Sequence, residues 1–416
     1  MKEQKYVKIF GNTFMLYILA IAKIVFPLIT LPYLTRVLSV ESYGALAYIK
    51  SIMAYVQMLI DFGFLLSAVK DIVNADNDKE KISRIVGSTI GAKLVLSMVA
   101  LVFIVLLSET IPILSNYKLL LFSSFIPPFL SCFLLDFLFR GMEKMHIVSL
   151  IYVSMKVVST ILTILLIKGD GDIYLVPMFD TVSSLIAIII TWLVVKKFGV
   201  YVKFDGIKGV IGKIKESFFY FTNSVASSAF GALNTALIGV CISDLEQVAY
   251  WSVSMQLVGA VQTMYTPLSN GIYPYMMKKK DIYLIRKILF VCMPIVVLGT
   301  VLAGIISPTL LIIVGGKKYV NACNVFRMLL PVLVISFPVA ILGWPTLGSI
   351  DKIKQINVAT LTGALVQIGG LVLLYVWDKF SIINVAITRN ISECAMLIVL
   401  YVFVLVNKKC FVEGHI

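Results

Sequence analysis

The sequence predicts an all-α polytopic membrane protein with twelve transmembrane helices in two six-helix lobes, and three observations predict it. Of its 416 residues 60% are hydrophobic and only 14% charged, with a mean hydropathy of +0.98, far from the balance of a domain that folds in water. Apolar stretches of about 20 residues, the length an α-helix needs to cross the hydrocarbon core, follow one another along nearly the whole chain. Finally, Gly141-Met142-Glu143-Lys144-Met145 recurs in residue type 208 positions later as Ser349-Ile350-Asp351-Lys352-Ile353.

The expected spans in the first half are 13–35, 45–68, 86–107, 119–139, 147–167 and 173–195. Those in the second half are 218–241, 248–275, 288–314, 324–347, 356–376 and 381–406. The first run is too long for the apolar core of a secretory signal and leads into Pro27 and Pro32 rather than a small-residue cleavage site, so it reads as a retained helix. Between the halves lies the longest polar segment, rich in Lys and Gly. It divides the chain into an N-terminal lobe (1–197), a cytoplasmic linker (198–217) and a C-terminal lobe (218–416). Cys132, Cys241, Cys292, Cys323, Cys394 and Cys410 contain no CxxC pair and fall mostly inside spans, so neither a disulfide framework nor a metal site is expected.

The formal net charge of +14 is distributed by side. With the N-terminus inside, alternate loops place 24 Lys and Arg on the inner face, among them Lys70, Lys79, Lys81, Arg84, Lys196, Lys197, Lys278, Lys279 and Lys280. Only 6 fall outside: Arg36, Lys118, Lys168, Lys317, Lys318 and Lys379. The positive-inside rule therefore predicts that both termini are cytoplasmic. Topology and anionic lipid explain the basic surplus, and no nucleic-acid partner is needed.

The recurring pentapeptide falls at the same end of spans four and ten. An even number of intervening spans preserves orientation, so the lobes are expected to be parallel repeats related by an axis along the membrane normal. Proline clusters unevenly: Pro27 and Pro32 in span one, Pro127 and Pro128 in span four, Pro267 and Pro274 in span eight, and Pro331, Pro338 and Pro345 in span ten. Kinks at these sites suit either lobes that rock or fixed packing geometry.

A charge at mid-membrane costs several kcal/mol unless a cavity or partner receives it, which makes each one a candidate. These are Lys23, Asp61, Lys156, Asp180, Arg389 and Glu393, whereas Lys50, Lys93 and Arg327 read as snorkelling residues near an interface. Arg389 and Glu393 stand four apart and read as a local ion pair. Shifted by 208, Asp180 falls beside Arg389, so an alternative pairing runs between spans six and twelve. Lys23 and Lys156 have no acid at helical spacing and are expected to face a cavity, where two ammonium groups suit an anion such as a diphosphate. Asp61, Asp180 and Glu393 remain for ion coupling or pairing.

Pro32-Tyr33-Leu34-Thr35-Arg36, Glu41-Ser42-Tyr43-Gly44, Asp61-Phe62-Gly63-Phe64 and Phe139-Arg140-Gly141-Met142-Glu143-Lys144-Met145, in this order, resemble the polysaccharide transporter family. These are the O-antigen flippases of the multidrug/oligosaccharidyl-lipid/polysaccharide exporter superfamily. The resemblance implies a bacterial inner-membrane protein that needs no cofactor. Such a protein flips undecaprenyl-diphosphate-linked oligosaccharide by alternating access through a cationic cavity, to which Lys23, Lys156 and Arg389 would contribute. It implies lipid-linked oligosaccharide and membrane lipid as partners, with polysaccharide polymerase and chain-length machinery beside them. An ion-coupled exporter of organic cations is the alternative within the superfamily, and a membrane glycan polymerase the alternative outside it. A polymerase needs a large outer loop, and the predicted outer loops are short. Asp170-Gly171-Asp172 lies in such a turn and Gly315-Gly316-Lys317-Lys318 is not a phosphate-binding loop, so no catalytic role is expected. His146 and His415 lie at the membrane edge and offer no proton relay.

Overall fold

The computed structural model describes residues 2–228 and 231–411, which are helical almost throughout. The chain divides into two compact units, Met1–Val225 and Ala226–Ile416. The first unit contains α1 (Lys2–Val37), α2 (Val40–Asp61), α3 (Phe64–Asn74), α4 (Lys79–Thr110), α5 (Pro112–Asn116), α6 (Lys118–Leu130), α7 (Asp136–Gly141), α8 (Met145–Leu166), α9 (Leu175–Phe198) and most of α10 (Gly206–Ser228). Side-chain caps start α2 and α4. The Ser39 hydroxyl accepts from the Ser42 amide at 3.1 Å, and the Asp78 carboxylate accepts from Glu80 and Lys81 at 3.0 and 3.2 Å. Two long-range bonds tie α1 to α8 and the turn beyond it: Ser149 Oγ donates to Met15 O, and Tyr33 OH donates to Ile167 O, both at 2.6 Å. Phe137, Leu138 and Phe139 of α7 pack with Ala68 and Ile72 of α3 and Val86 and Ile90 of α4 in the core between them.

The second unit contains α11 (Ala232–Ile242), α12 (Leu245–Thr263), α13 (Tyr265–Lys279), α14 (Ile282–Ile305), α15 (Ser307–Gly315), α16 (Cys323–Leu329), α17 (Pro331–Ile341), α18 (Ile353–Val376) and α19 (Ile382–Val406). Its core joins Met276, Ile285, Phe337, Ile341, Leu347 and Leu400. The proline-rich tenth span leaves regular helix after α17: residues 342–347 widen into a π-type turn around Gly343 and Pro345. α14 leaves Phe290, Ile295, Leu298 and Ile305 exposed, an apolar surface suited to lipid.

Among the described residues ten helical segments are long and apolar enough to cross a membrane: the six expected in the first half and the last four of the second. The seventh and eighth expected spans do not qualify. Part of the seventh (229–230) lies outside the described residues, and its apolar part, α11, is only 11 residues long. The eighth breaks at Met264 between α12 and α13, where Gln262, Thr263, Thr266, Ser269 and Asn270 dilute the apolar run. The segment expected as a linker (198–217) is helical from Gly206 and is held by the first unit. Ser217 and Ser67 hydroxyls meet at 2.6 Å, and Lys213 pairs with Asp71 and Glu216.

The recurring pentapeptide takes one backbone form in both units. Glu143 and Asp351 adopt left-handed φ of 55° and 59°. The Lys144 amide donates to Phe139 O at 2.7 Å and the Lys352 amide to Leu347 O at 3.0 Å, while Glu143 and Asp351 amides reach Arg140 O and Gly348 O. These are the two bonds of a Schellman-type helix end.

Span two is broken directly after Asp61, inside a mostly apolar run. Phe62 and Gly63 take left-handed φ of 38° and 76°, ending α2 and starting α3. Phe62 stacks on Phe221 with ring centroids 4.3 Å apart. A Cβ on Gly63 would lie 2.5 Å from Tyr220 Cβ and 3.0 Å from the Phe221 backbone nitrogen. Gly63→Ala is therefore expected to cost about 2–4 kcal/mol from strain and overpacking together, read as a lowered melting temperature in detergent. An unchanged melting temperature would show that this crossing is looser than described.

Candidate functional site: a charged cluster in the first unit

The break at Phe62-Gly63 leaves Asp61 on the last residue of α2, where an acid meets the negative end of the helix dipole. Lys93 of α4 offsets both charges, with its Nζ donating to Asp61 Oδ1 at 2.8 Å. Gln57, one turn earlier, donates from Nε2 to Asp61 Oδ2 at 2.8 Å and to Ser131 Oγ at 3.0 Å. The Lys93 side chain is 8% exposed and that of Asp61 46%, so the pair has a buried cationic end and an open anionic end. Lys93 thus does not snorkel; its partner lies 32 residues away on another helix. Asp136, at the start of α7, stands within electrostatic reach of Arg140, Lys93, Asp61 and Lys23.

A second group gathers on α8 and α9. Asp180 accepts from Ser159 Oγ at 2.7 Å and from Lys156 Nζ at 3.3 Å. Lys156 is therefore not the acid-free cation that helical spacing predicts, and the acid expected beside Arg389 is engaged by Lys156 within its own unit. Lys50 of α2, read from sequence as interfacial, is exposed and lies within electrostatic reach of both Asp180 and Lys156. Lys23 of α1 is exposed and sits 5.6 Å from the ring centroid of Tyr152, which is one turn before Lys156 on α8. Among the described residues neither Lys23 nor Lys50 has a carboxylate within ion-pair distance. Lys23, Lys50, Lys93, Arg140 and Lys156 face Asp61, Asp136 and Asp180, which leaves the cluster cationic.

In the second unit Arg389 pairs with Glu393 one turn along α19, and both are 5% exposed. The i,i+4 spacing brings them together, and burial removes Arg389 from any open surface within its unit. Beside them lies a closed amide network: Gln367 donates to Asn234 Oδ1 and Ser392 Oγ to Gln367 Oε1, each at 2.8 Å. Arg327, read from sequence as interfacial, is exposed, and its Nε donates to Gly304 O at 3.1 Å and Ser307 Oγ at 2.8 Å. The carboxylates of Asp170 and Asp172 accept from the Ser39 and Lys168 amides at 2.7 and 2.8 Å, a structural use of that turn. His415 lies outside the described residues.

Comparisons with known proteins agree on the kind of molecule this is. The chain is 24% identical over 391 residues to a protein of Escherichia coli (strain K12) described as "Putative O-antigen transporter", covering 92% of this chain and 93% of that protein. A Shigella dysenteriae protein with the same description is 28% identical over 323 residues, 74% of this chain and 78% of that one. Among solved structures, the lipid II flippase MurJ in an inward closed conformation superposes with a TM-score of 0.74 at 14% identity, over 95% of this chain and 87% of that one. An inward-facing multidrug resistance MATE family transporter of the MOP superfamily gives 0.70 at 12% identity, over 92% and 94%. These two likenesses establish the fold of a multi-pass membrane transporter. The family described as "Polysaccharide biosynthesis protein" matches residues 9–280, and the chain belongs to that family.

Proposed function

We propose that this protein is a flippase that moves undecaprenyl-diphosphate-linked oligosaccharide units across the bacterial inner membrane, for O-antigen or another surface polysaccharide. The observation that carries the reading is the cationic cluster formed among membrane-spanning helices of the first unit. Among the described residues no acid lies within ion-pair distance of Lys23 or Lys50, and a charge in that setting is retained where it meets a ligand of opposite sign. A diphosphate supplies that sign, and ammonium groups are strong point-charge partners for it. Lys23 and Lys50 contact the diphosphate, and Lys156 stands beside them, oriented by Asp180 and Ser159. The second unit's Arg389 serves its own unit through Glu393.

The architecture belonging to this reading has twelve spans, with α10–α11 and α12–α13 completing the ten apolar segments, and both termini cytoplasmic. Two parallel six-helix repeats alternate access to the cluster, and the matching Schellman-type turns at Glu143 and Asp351 support the repeat. The protein transports and does not catalyse, and its cargo partners are lipid-linked oligosaccharide and membrane lipid. Export of organic cations fits less well, because Asp61, Asp180 and Glu393 are each engaged by a basic residue.

The deciding experiment follows a fluorescent polyprenyl-diphosphate oligosaccharide in proteoliposomes and measures how fast an impermeant quencher reaches it. Protein-dependent translocation of chemically unchanged lipid is expected. No translocation of several such lipids, with uptake of an organic cation under a proton gradient, would overturn the reading.

A further inference from the structure

Away from the charged cluster, the opposite face of α9 forms one wall of a cleft of about 600 Å³. Ile188, Ile189, Trp192 and Leu193 line it at helical spacing, Lys196 stands at its end, and Tyr201 faces them from the returning chain. The far wall is fixed. Gly199 turns the chain with φ +67°, Val200 is buried, and the Tyr201 and Lys203 amides donate to Ser83 Oγ and Ser83 O, both at 3.2 Å. Lys203 also pairs with Glu80, which Arg84 contacts as well. The close approach depends on Gly87 of α4, where a Cβ would stand 2.2 Å from Lys203 O.

We propose that this cleft is a binding site for one anionic phospholipid of the surrounding membrane, with its acyl chain along α9 and its phosphate at Lys196. Ile189 and Leu193 are 61% and 60% exposed, an apolar wall at the end of a membrane span. Trp192 and Tyr201 are the amphipathic rings favoured at the headgroup level. Charge selects the headgroup. Among the described residues no carboxylate holds Lys196 or Lys197, and their two full positive charges outweigh the roughly half negative charge of the α9 carbonyl end. The inference rests on the membrane-spanning fold and not on the flippase reading.

The test uses full-length protein in nanodiscs with Trp251, Trp344 and Trp377 changed to Phe, so that Trp192 alone fluoresces. Brominated phosphatidylglycerol is titrated against brominated phosphatidylcholine. Phosphatidylglycerol is expected to quench at about fivefold lower mole fraction, and Lys196→Gln to abolish that preference while a distant Lys354→Gln keeps it. Equal quenching by the two lipids, or a preference that survives Lys196→Gln, overturns the proposal. Because Trp251 is fully buried and its replacement can unfold the chain, native mass spectrometry of the wild-type tryptophan set provides a second readout. One retained phosphatidylglycerol is expected to be lost in Lys196→Gln, and an unchanged count overturns the site. Preferential binding of a polyprenyl diphosphate over phosphatidylglycerol in the same cleft would also overturn it, since the site would then belong to cargo.

Discussion

Replacing Asp61 with Ala is expected to destabilise the protein by about 2–4 kcal/mol, the cost of breaking a half-buried ion pair from the side that leaves its charged partner buried. The asymmetry of the pair sets the direction. Lys93 is 8% exposed and loses both its Coulomb partner and its acceptor, whereas Lys93→Met leaves an acid that is 46% exposed and still bonded to Gln57. Lys93→Met is therefore expected to be the milder single change, by about 1–3 kcal/mol. The double variant Asp61→Asn with Lys93→Met, which removes both charges, should recover most of the loss. Melting temperatures in one detergent decide the order. If Asp61→Ala and Lys93→Met melted alike, the buried-cation account of this pair would fail.

That pair also shows what a sequence carries and what it does not. Apolar length gave ten of the twelve expected spans, because spanning is a local, additive property of about 20 residues. The helix break at Phe62-Gly63 directly follows Asp61 inside a mostly apolar run, and only Asp61 and Gly63 hint at it. What requires the break is the crossing of Tyr220 and Phe221, some 157 residues away. The seventh and eighth expected spans are not among the ten: residues 229–230 of the seventh lie outside the described residues, and the eighth is divided at Met264 although its average composition reads as one stretch.

Among the charges, Arg389 and Glu393 were legible because an i,i+4 pair is set by helix geometry alone. Asp61 with Lys93 and Lys156 with Asp180 were not, since the partners come from different helices and depth along a span says nothing about azimuth. The same loss of azimuth made Lys50 look interfacial when it faces the charged cluster. The turn at Glu143 and Asp351 was visible as a pattern, and its meaning is conformational: both acids take the left-handed position, which the short side chain of Asp351 tolerates well, and the next amide closes the helix.

Azimuth also separates the lysines as probes of transport. Lys23→Ala and Lys50→Ala remove cations that no carboxylate holds among the described residues, so nothing charged is left unpaired and melting temperatures are expected to stay close to wild type. If each contacts the diphosphate through a charge-assisted bond of about 1.5–3 kcal/mol, either change lowers flipping in proteoliposomes by about 10–150-fold. Lys156→Ala is a less clean probe, because it leaves Asp180 with Ser159 as hydrogen-bond partner and no ion pair, and is expected to lose stability together with transport. Pairing it with Asp180→Asn should restore the melting temperature without restoring flipping to the wild-type rate. Wild-type flipping in both Lys23→Ala and Lys50→Ala would remove the diphosphate from this cluster. Loss confined to Lys156→Ala, repaired by Asp180→Asn, would mean that the α8–α9 pair is a structural strut and that the cargo's charge is met elsewhere.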